Sequence, residues 1–329
     1  MISTRLTRML NIRRPVIQAG MGGVARAELV AAVSNAGAFG MLGMVRMAPE
    51  FIREQIRQTR ALTDRPFGVN LVPPVAPAPG FEAQLEICLE EKVSAVSLFW
   101  CDPAPFVERC RGAGVVVMLQ VGSAEEGRRA AAAGVDVIVV QGMEAGGHIR
   151  GQVGLLPLLP AVAEVVSPVP VIAAGGIVDG RGLAAALALG AEGVWVGTRF
   201  VASEESEAHP EYKKRLLAAS EADTVYTETF HLGWPPRSPH RVLRNLLTEG
   251  NAAAPDPVAR LSLGGQTVEV PPFASATPTV HMKGHTELMA NYAGQGVGLI
   301  HNILPAAEIV ERMVSEAQAI IQRLPTMLE

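Results

Sequence analysis

The stretch VDVIVVQGMEAGGH, residues 135–148, joins a run of β-branched residues to a glycine-rich loop that ends in a histidine. A continuous apolar run of this kind is typical of a strand buried on both faces, as in parallel sheets covered by helices. Outward from it, similar runs alternate with Ala- and Leu-rich stretches of helical spacing. The predicted strands are 16–20, 39–44, 67–72, 93–99, 115–121, 135–142, 170–176 and 193–200.

Eight strands, each followed by a helix, are typical of a (β/α)8 TIM barrel rather than an open doubly wound sheet. Glycines support the count, because a helix should end before the next strand at Gly37, Gly114, Gly134 and Gly190. We therefore predict an α/β fold in which residues 1–222 form the barrel.

Proline changes the pattern after the barrel. The segments GWPP (233–236), SPH (238–240), APDP (254–257) and VPP (270–272) are too proline-rich for another strand-helix unit. We predict a smaller, mainly helical cap over residues 223–302, inserted after strand eight. Helical spacing of apolar residues returns at 306–324, so we expect residues 303–329 to form a C-terminal helix that packs back on the barrel.

Bulk composition narrows the function classes. The 329 residues carry a formal net charge of −4, so no basic excess favours nucleic acid or anionic lipid as a partner. No uncharged run is long enough to span a bilayer and no apolar leader opens the chain, which predicts a cytoplasmic protein. Cys88, Cys101 and Cys110 lack the spacing of a zinc or disulfide framework, so we expect reduced, structural thiols.

Two glycine turns fall where TIM barrels bind phosphate. Strand seven ends at Gly175 and Gly176, and strand eight ends at Gly197 and Thr198. Without side chains, main-chain N–H groups can approach an anion directly. These turns predict a phosphorylated cofactor.

The exits of strands one and three suit a flat ring. Small residues surround Met21 in QAGMGG (18–23), and Asn70 ends strand three with both a donor and an acceptor. A flavin edge alternates carbonyls and nitrogens, which an amide and main chain can bind. With the phosphate turns, these exits favour FMN over a metal, and no His/Asp/Glu cluster with ligand spacing occurs there.

The exit of strand six carries His148 among four glycines. This arrangement indicates a loop pressed against a planar ligand, with an imidazole placed for proton transfer. Trp100, after strand four, either walls a substrate pocket or fills the barrel rim. His209 is interpreted as structural, and His231, His240, His281, His285 and His301 in the cap receive no individual role.

Taken together, these motifs give the chain a resemblance to the nitronate monooxygenase family, formerly called 2-nitropropane dioxygenases, which also contains FMN-dependent enoyl-ACP reductase II enzymes. The resemblance rests on PVIQAGM (15–21), DRPFGVN (64–70), GMEAGGH (142–148), IAAGGI (172–177), DGRG (179–182) and GTRF (197–200), in that order. Near the end, YAGQGVG (292–298) is similar to the segment by which the family's cap returns to the flavin site.

The resemblance implies site residues. His148 stands where the family has its active-site histidine, the proposed base toward nitroalkane carbon acids. The positions similar to those that contact FMN are Gly20, Met21, Gly22, Asn70, Gln120, Ala145, Gly146, Gly175, Gly176, Gly197 and Thr198. Gln120 falls on a family position whose residue type varies.

The implied activity is FMN-dependent oxidation of alkyl nitronates and nitroalkanes with O2 to carbonyl compounds and nitrite. An NAD(P)H-dependent FMN reductase acting on enoyl-ACP, other enoyl thioesters or quinones is the alternative; GMEAGGHI favours it, whereas Arg150 and the GWPP segment depart from it. A non-enzymatic FMN-binding module is the third hypothesis, against which His148 and both phosphate turns argue. The family also implies a homodimer, and the physiological substrate stays open.

Overall fold

A computed structural model describes residues 2–73, 79–250, 254–263 and 266–327. All eight predicted strands are present in one sheet. They are β1 (Val16–Gln18), β2 (Gly40–Gly43), β3 (Phe67–Leu71), β4 (Ala95–Leu98), β5 (Val116–Val121), β6 (Val137–Gln141), β8 (Val171–Ala174) and β9 (Val194–Val196), and β7 (Gly147–His148) is a short extra strand outside the sheet.

The sheet curls into a barrel. Its strand order is β1-β9-β8-β6-β5-β4-β3-β2, and neighbouring strands run parallel. The two ends meet where Gln18 N–H donates to Phe39 O at 2.9 Å and Phe39 N–H donates to Val16 O at 3.0 Å. The predicted TIM barrel is confirmed.

Helices alternate with the strands and cover the barrel. They are α1 (Arg5–Met9), α2 (Ala27–Asn35), α3 (Pro49–Leu62), α4 (Pro79–Glu90), α5 (Ala104–Gly112), α6 (Ala124–Ala132), α7 (Leu155–Val166), α8 (Gly180–Ala188), α9 (Thr198–Val201), α10 (Pro210–Ala218) and α11 (Ala306–Arg323). Helices α2, α5, α6 and α8 end beside the predicted glycines, whose φ angles lie between 72° and 96°. The predicted C-terminal helix is α11, which packs against α8 and α2.

Alternation along the strands builds two apolar layers. Inward side chains fill the barrel interior, and they include Ile17, Met41, Met118, Val139 and Ile172. The intervening residues pack outward against the helices; Val16, Leu42, Val117, Ile138 and Val171 belong to this layer. A packed interior leaves only the strand ends and their loops to bind ligands.

Two expectations about elements are wrong. The eighth barrel strand, β9, ends at Val196 rather than at residue 200, because the chain turns at Gly197 into the short helix α9. The cap is not mainly helical: between α10 and α11 the described residues form strands and 3-10 turns but no α-helix. Proline removes the N–H that a helix needs, whereas short strands joined by loops tolerate it.

The cap strands are β10 (Thr224–Thr227), β11 (His240–Leu243), β12 (Ala259–Leu263), β13 (Gln266–Val270) and β14 (Met282–Gly284). They form two three-stranded sheets, β10-β11-β7 and β13-β12-β14. In the first sheet, β11 pairs with β7 so that His240 lies opposite His148. The cap is therefore joined by main-chain hydrogen bonds to the loop that follows β6. The division at residues 222 and 302 stays a prediction.

The three thiols are free, with Cys88 and Cys110 buried. Burial raises the pKa of Cys88 to about 12 and that of Cys110 to about 11, so both stay protonated and unreactive at neutral pH. Among the described helices, none combines the length and apolarity that crossing a bilayer requires.

Candidate active site

A cavity of about 900 Å³ lies at the carboxyl ends of the barrel strands, between the strand exits and the cap. Its volume is at the upper end of the range of about 300–1,000 Å³ that is typical of small-molecule sites. Every predicted site residue lines it: Gly20, Met21, Gly22, Asn70, Gln120, Ala145, Gly146, His148, Gly175, Gly176, Gly197 and Thr198. The structure thus brings candidate residues from the ends of six strands together around one cavity.

The two glycine turns lie side by side, because β8 and β9 are neighbours in the barrel. Gly175 and Gly176 have φ angles of 111° and 70°, a backbone conformation that favours glycine. A Cβ at Gly175 would lie 3.1 Å from Gly142 O and 3.2 Å from Ala145 N, so the turn packs tightly on the loop after β6. Within the described part of the chain, the main-chain N–H groups of Gly176, Gly197 and Thr198 donate no hydrogen bond.

Small residues keep side chains off the rest of the wall. A Cβ on Gly20 would collide with the Asn70 side chain, whose Nδ2 donates to Ser97 Oγ at 3.0 Å. Gly146 packs against the segment YAGQGVG (292–298), since a Cβ on Gly146 would be 2.5 Å from Gly294 N. This main-chain surface suits a planar ring, and the unpaired N–H groups of the glycine turns suit a phosphate. The residues present therefore fit FMN.

Hydrogen bonds hold the loop after β6 rigidly. Glu144 accepts the Leu155 N–H with both carboxylate oxygens, at 2.9 and 3.0 Å, and therefore orients the loop rather than facing a ligand. Gln141 Nε2 donates to His148 O at 2.8 Å, and Gln141 Oε1 accepts from Arg150 N–H at 3.1 Å. Arg241 of the cap donates to Met143 O at 2.9 Å.

His148 lies among aromatic rings. Its imidazole stacks on Trp234 of the cap, with ring centroids 3.5 Å apart and planes 20° apart. Trp100 meets it edge-on at 6.3 Å, and Tyr292 and His240 lie 5.6 and 5.2 Å away. The side chain is 9% exposed, and its Nε2 is a buried atom without a hydrogen-bond partner among the described residues. Buried polar atoms are normally paired, so the unpaired Nε2 is a candidate functional atom rather than a purely structural one.

Burial sets the protonation state of this imidazole. Desolvation lowers the pKa of His148 well below its ordinary value of 6.5, and His240 and Arg46 act in the same direction. The ring is therefore neutral at pH 7 and free to accept a proton. Desolvation also lowers the pKa of His240, which is buried with Nδ1 3.1 Å from Ser238 O and Nε2 accepting from Phe230 N–H at 3.2 Å. These partners assign its proton to Nδ1, and burial keeps the ring neutral at pH 7.

The sequence reasoning missed several side chains at the cavity. Trp234 and Tyr292 both line it; they belong to the noted segments GWPP and YAGQGVG, which signalled a cap but not its contacts. Burial raises the pKa of Tyr292, whose hydroxyl donates to Ser275 O at 3.1 Å. Arg46, after β2, lines the cavity with its guanidinium carbon 5.4 Å from the Trp234 ring centroid, and no signal in the sequence pointed to it.

The other candidates divide between structural and cavity positions. Trp100 packs behind His148 and Trp234, beneath the Arg150 guanidinium at 5.2 Å. His209 caps α10 by accepting the Glu211 N–H, as expected of a structural residue. His281 lines the cavity 3.4 Å from Glu207. The rings of His231, His285 and His301 are exposed. In the described ranges, no three His, Cys, Asp or Glu side chains are grouped as a metal site.

Comparison with known proteins places this architecture in a family. The family model described as nitronate monooxygenase matches residues 3–81 and 72–316. A nitronate monooxygenase of Pseudomonas aeruginosa is 34% identical over 96% of this chain and 99% of its own length. A (3aS,4S,5R,7aS)-5-hydroxy-7a-methyl-1-oxo-octahydro-1H-indene-4-carboxyl-CoA dehydrogenase of Mycobacterium tuberculosis is 41% identical over 75% of this chain and 68% of its own.

Solved structures of similar proteins share the fold of this chain. FabK from Thermotoga maritima superposes with a TM-score of 0.84 and 34% identity, covering 99% of this chain and 100% of its own. A nitroalkane oxidase from Streptomyces ansochromogenes has a TM-score of 0.80 and 29% identity, covering 97% of this chain and 99% of its own. With the family model matched over most of the chain, the protein belongs to the nitronate monooxygenase family and is an oxidoreductase.

Proposed function

We propose that this protein is an FMN-dependent nitronate monooxygenase, which oxidises alkyl nitronates, and nitroalkanes after deprotonation, with O2 to carbonyl compounds and nitrite. The observation that carries the proposal is His148: a neutral, buried imidazole with an unpaired Nε2, in the wall of a cavity that also carries two glycine turns. The relative from Pseudomonas aeruginosa, similar over nearly the whole chain, supports it.

In this proposal the glycine turns hold the cofactor phosphate. The N–H groups of Gly176, Gly197 and Thr198 would bind the anion, and Gly20, Gly22 and Gly146 would hold the flat ring. Thr198 Oγ1 accepts the Gly294 N–H at 3.1 Å, so the segment that returns from the cap is tied to the phosphate turn. FMN, when bound, supplies the redox chemistry.

His148 acts on the substrate carbon. Because the ring is neutral at pH 7, its lone pair accepts the proton from the carbon next to a nitro group. A substrate that arrives as the nitronate has already lost this proton and does not need the base. Trp234 and Tyr292 surround the ring, which keeps bulk water from the proton-transfer step.

A second candidate is two-electron chemistry on a thioester. The relatives from Mycobacterium tuberculosis and Rhodococcus jostii, 41% and 33% identical, are named carboxyl-CoA dehydrogenases, and the cavity volume suits a bulky substrate beside a cofactor. NAD(P)H-dependent reduction of an enoyl thioester or quinone is the reverse type of reaction at the same kind of site. These reactions differ from the first proposal in the electron donor and in their independence of O2.

The two candidates separate in one set of assays. The FMN-loaded protein is mixed in air with ethylnitronate, and nitrite release and O2 uptake are followed; NADH and a carbocyclic carboxyl-CoA thioester are supplied separately. Nitrite formation with O2 uptake, and no NADH oxidation, supports the monooxygenase. Nitrite at the level of free FMN, together with oxidation of NADH or of the thioester, overturns it in favour of the second candidate.

A further inference from the structure

The cavity contains two arginines with different surroundings. Arg26 is buried, donates to Gly43 O at 2.9 Å, and has Glu207 at 4.0 Å. Arg46 lies on the same cavity but takes part in none of the ion pairs or side-chain hydrogen bonds found among the described residues. A cation at a cavity wall without a carboxylate partner is available to an anionic ligand.

Packing holds Arg46 in place. Its guanidinium carbon lies 5.4 Å from the Trp234 ring centroid, and a Cβ on Gly233 would be 2.5 Å from its Nη1. The Arg46 side chain is exposed at the cavity wall. Its guanidinium nevertheless contacts the Trp234 ring, which restricts its orientation. Its φ of 58° is left-handed, a conformation that non-glycine residues adopt mainly where surrounding structure requires it.

Trp234 connects this cation to the base. One indole contacts both the guanidinium of Arg46 and the imidazole of His148, so their separation cannot exceed the sum of the 5.4 and 3.5 Å distances to that ring. Both side chains also line the same cavity, so a substrate bound there can contact His148 with its reacting carbon and Arg46 with its polar end. The planar guanidinium fork matches the two oxygens of a nitronate or a carboxylate.

We propose that Arg46 is a specificity-determining residue that binds a planar oxyanion of the substrate at the cavity wall beside Trp234. This inference deepens the proposed function. It rests on that function where the oxyanion is a nitronate group, and it does not depend on it where the oxyanion is a carboxylate. The oxyanion is either the nitronate group itself or a carboxylate elsewhere on the substrate.

The first test measures binding without turnover. Sodium butyrate is titrated into FMN-loaded protein by isothermal calorimetry at constant ionic strength, with wild type, Arg46→Gln and Arg46→Lys. Arg46→Gln should weaken binding by about tenfold to 100-fold, the range of a charge-assisted hydrogen bond, and Arg46→Lys should fall between. Arg150→Gln is the matched control, since Arg150 also stacks on a tryptophan but pairs with Glu126 at 2.7 Å. Its affinity should equal that of wild type.

The second test identifies the source of the oxyanion. A loss of kcat/KM for propyl-1-nitronate in Arg46→Gln assigns the nitronate group, whereas a loss confined to a nitronate that also carries a carboxylate assigns the carboxylate. Flavin content and melting temperature should match wild type in Arg46→Gln and Arg46→Lys. Unchanged butyrate affinity together with unchanged kcat/KM for both nitronates would overturn the inference. Failure of the proposed function is recognised separately, as absence of nitronate turnover in wild type while the butyrate titration still depends on Arg46.

Discussion

The imidazole of His148 lies on the indole of Trp234, with ring centroids 3.5 Å apart. His148 follows a barrel strand, whereas Trp234 belongs to the cap, so the environment of the candidate base is assembled from two distant parts of the chain. The pairing of β7 with β11 holds the two parts in register. Burial at this contact between barrel and cap lowers the pKa of His148, and His240 of the cap acts in the same direction.

Replacing His148 by Ala should impair the enzyme selectively. Turnover of a neutral nitroalkane should fall roughly 100- to 10,000-fold, the usual contribution of a general base, while FMN stays bound. The pre-ionised nitronate is the internal control, because it needs no deprotonation and should lose far less. Steady-state nitrite assays measure both substrates, and wild-type turnover of the nitroalkane would remove His148 from the mechanism.

Gly175→Asp should abolish FMN binding. Like charges about 4 Å apart repel by roughly 4 kcal/mol near a protein surface, which corresponds to about a 1,000-fold weaker Kd. The control is Gly175→Asn, which places a side chain of the same size at the same φ of 111° without the negative charge and should retain more flavin. Flavin released from purified protein is the measurement. Full flavin content in Gly175→Asp would refute the phosphate assignment.

Trp234→Ala should shift the acid limb of the pH profile. Without the indole, water reaches the imidazole, so the pKa of His148 rises toward 6.5. A base works only when deprotonated, and the acid-side loss of nitroalkane turnover should therefore begin at a higher pH than in wild type. Trp234→Phe keeps a stacked ring and should stay close to the wild-type profile. Coincident profiles for the Ala variant and wild type would mean that the stack does not control the base.

Stability should fall on mild acidification. Folding lowers the pKa of both His148 and His240, so below pH 6.5 the unfolded chain binds protons that the folded chain does not. Stability from these groups is present above 6.5 and decreases by up to about 1.4 kcal/mol per pH unit for each histidine as pH falls. Urea unfolding from pH 7 to 5 measures the slope. His148→Gln should reduce it, whereas replacing the exposed His301 by Gln should not; equal slopes in all three proteins would contradict the assignment.

The barrel was predictable because its signals are local. Buried parallel strands read as β-branched runs, such as 135–142, and glycines mark helix ends such as Gly134. The turns at Gly175 and Gly197 follow these strands directly, so their convergence on one cavity follows from the topology. Their contacts with FMN stay a prediction, as does the homodimer.

The cap was less predictable because its elements are short and its contacts non-local. Strands such as β11 and β14 are too brief for a clear alternation, and prolines obscure what remains. Nothing near Trp234 in sequence indicates that it stacks on His148. Arg46 looks like any loop arginine until the cap brings Gly233 and Trp234 against it.

Anaerobic stopped-flow mixing of the FMN-loaded protein tests the central claim most directly. Ethylnitronate and NADH are mixed separately with the enzyme, and flavin absorbance is followed. The account predicts a rapid spectral change with ethylnitronate and none with NADH. Rapid two-electron bleaching by NADH, with no response to ethylnitronate, would contradict the account and assign the site to a reductase.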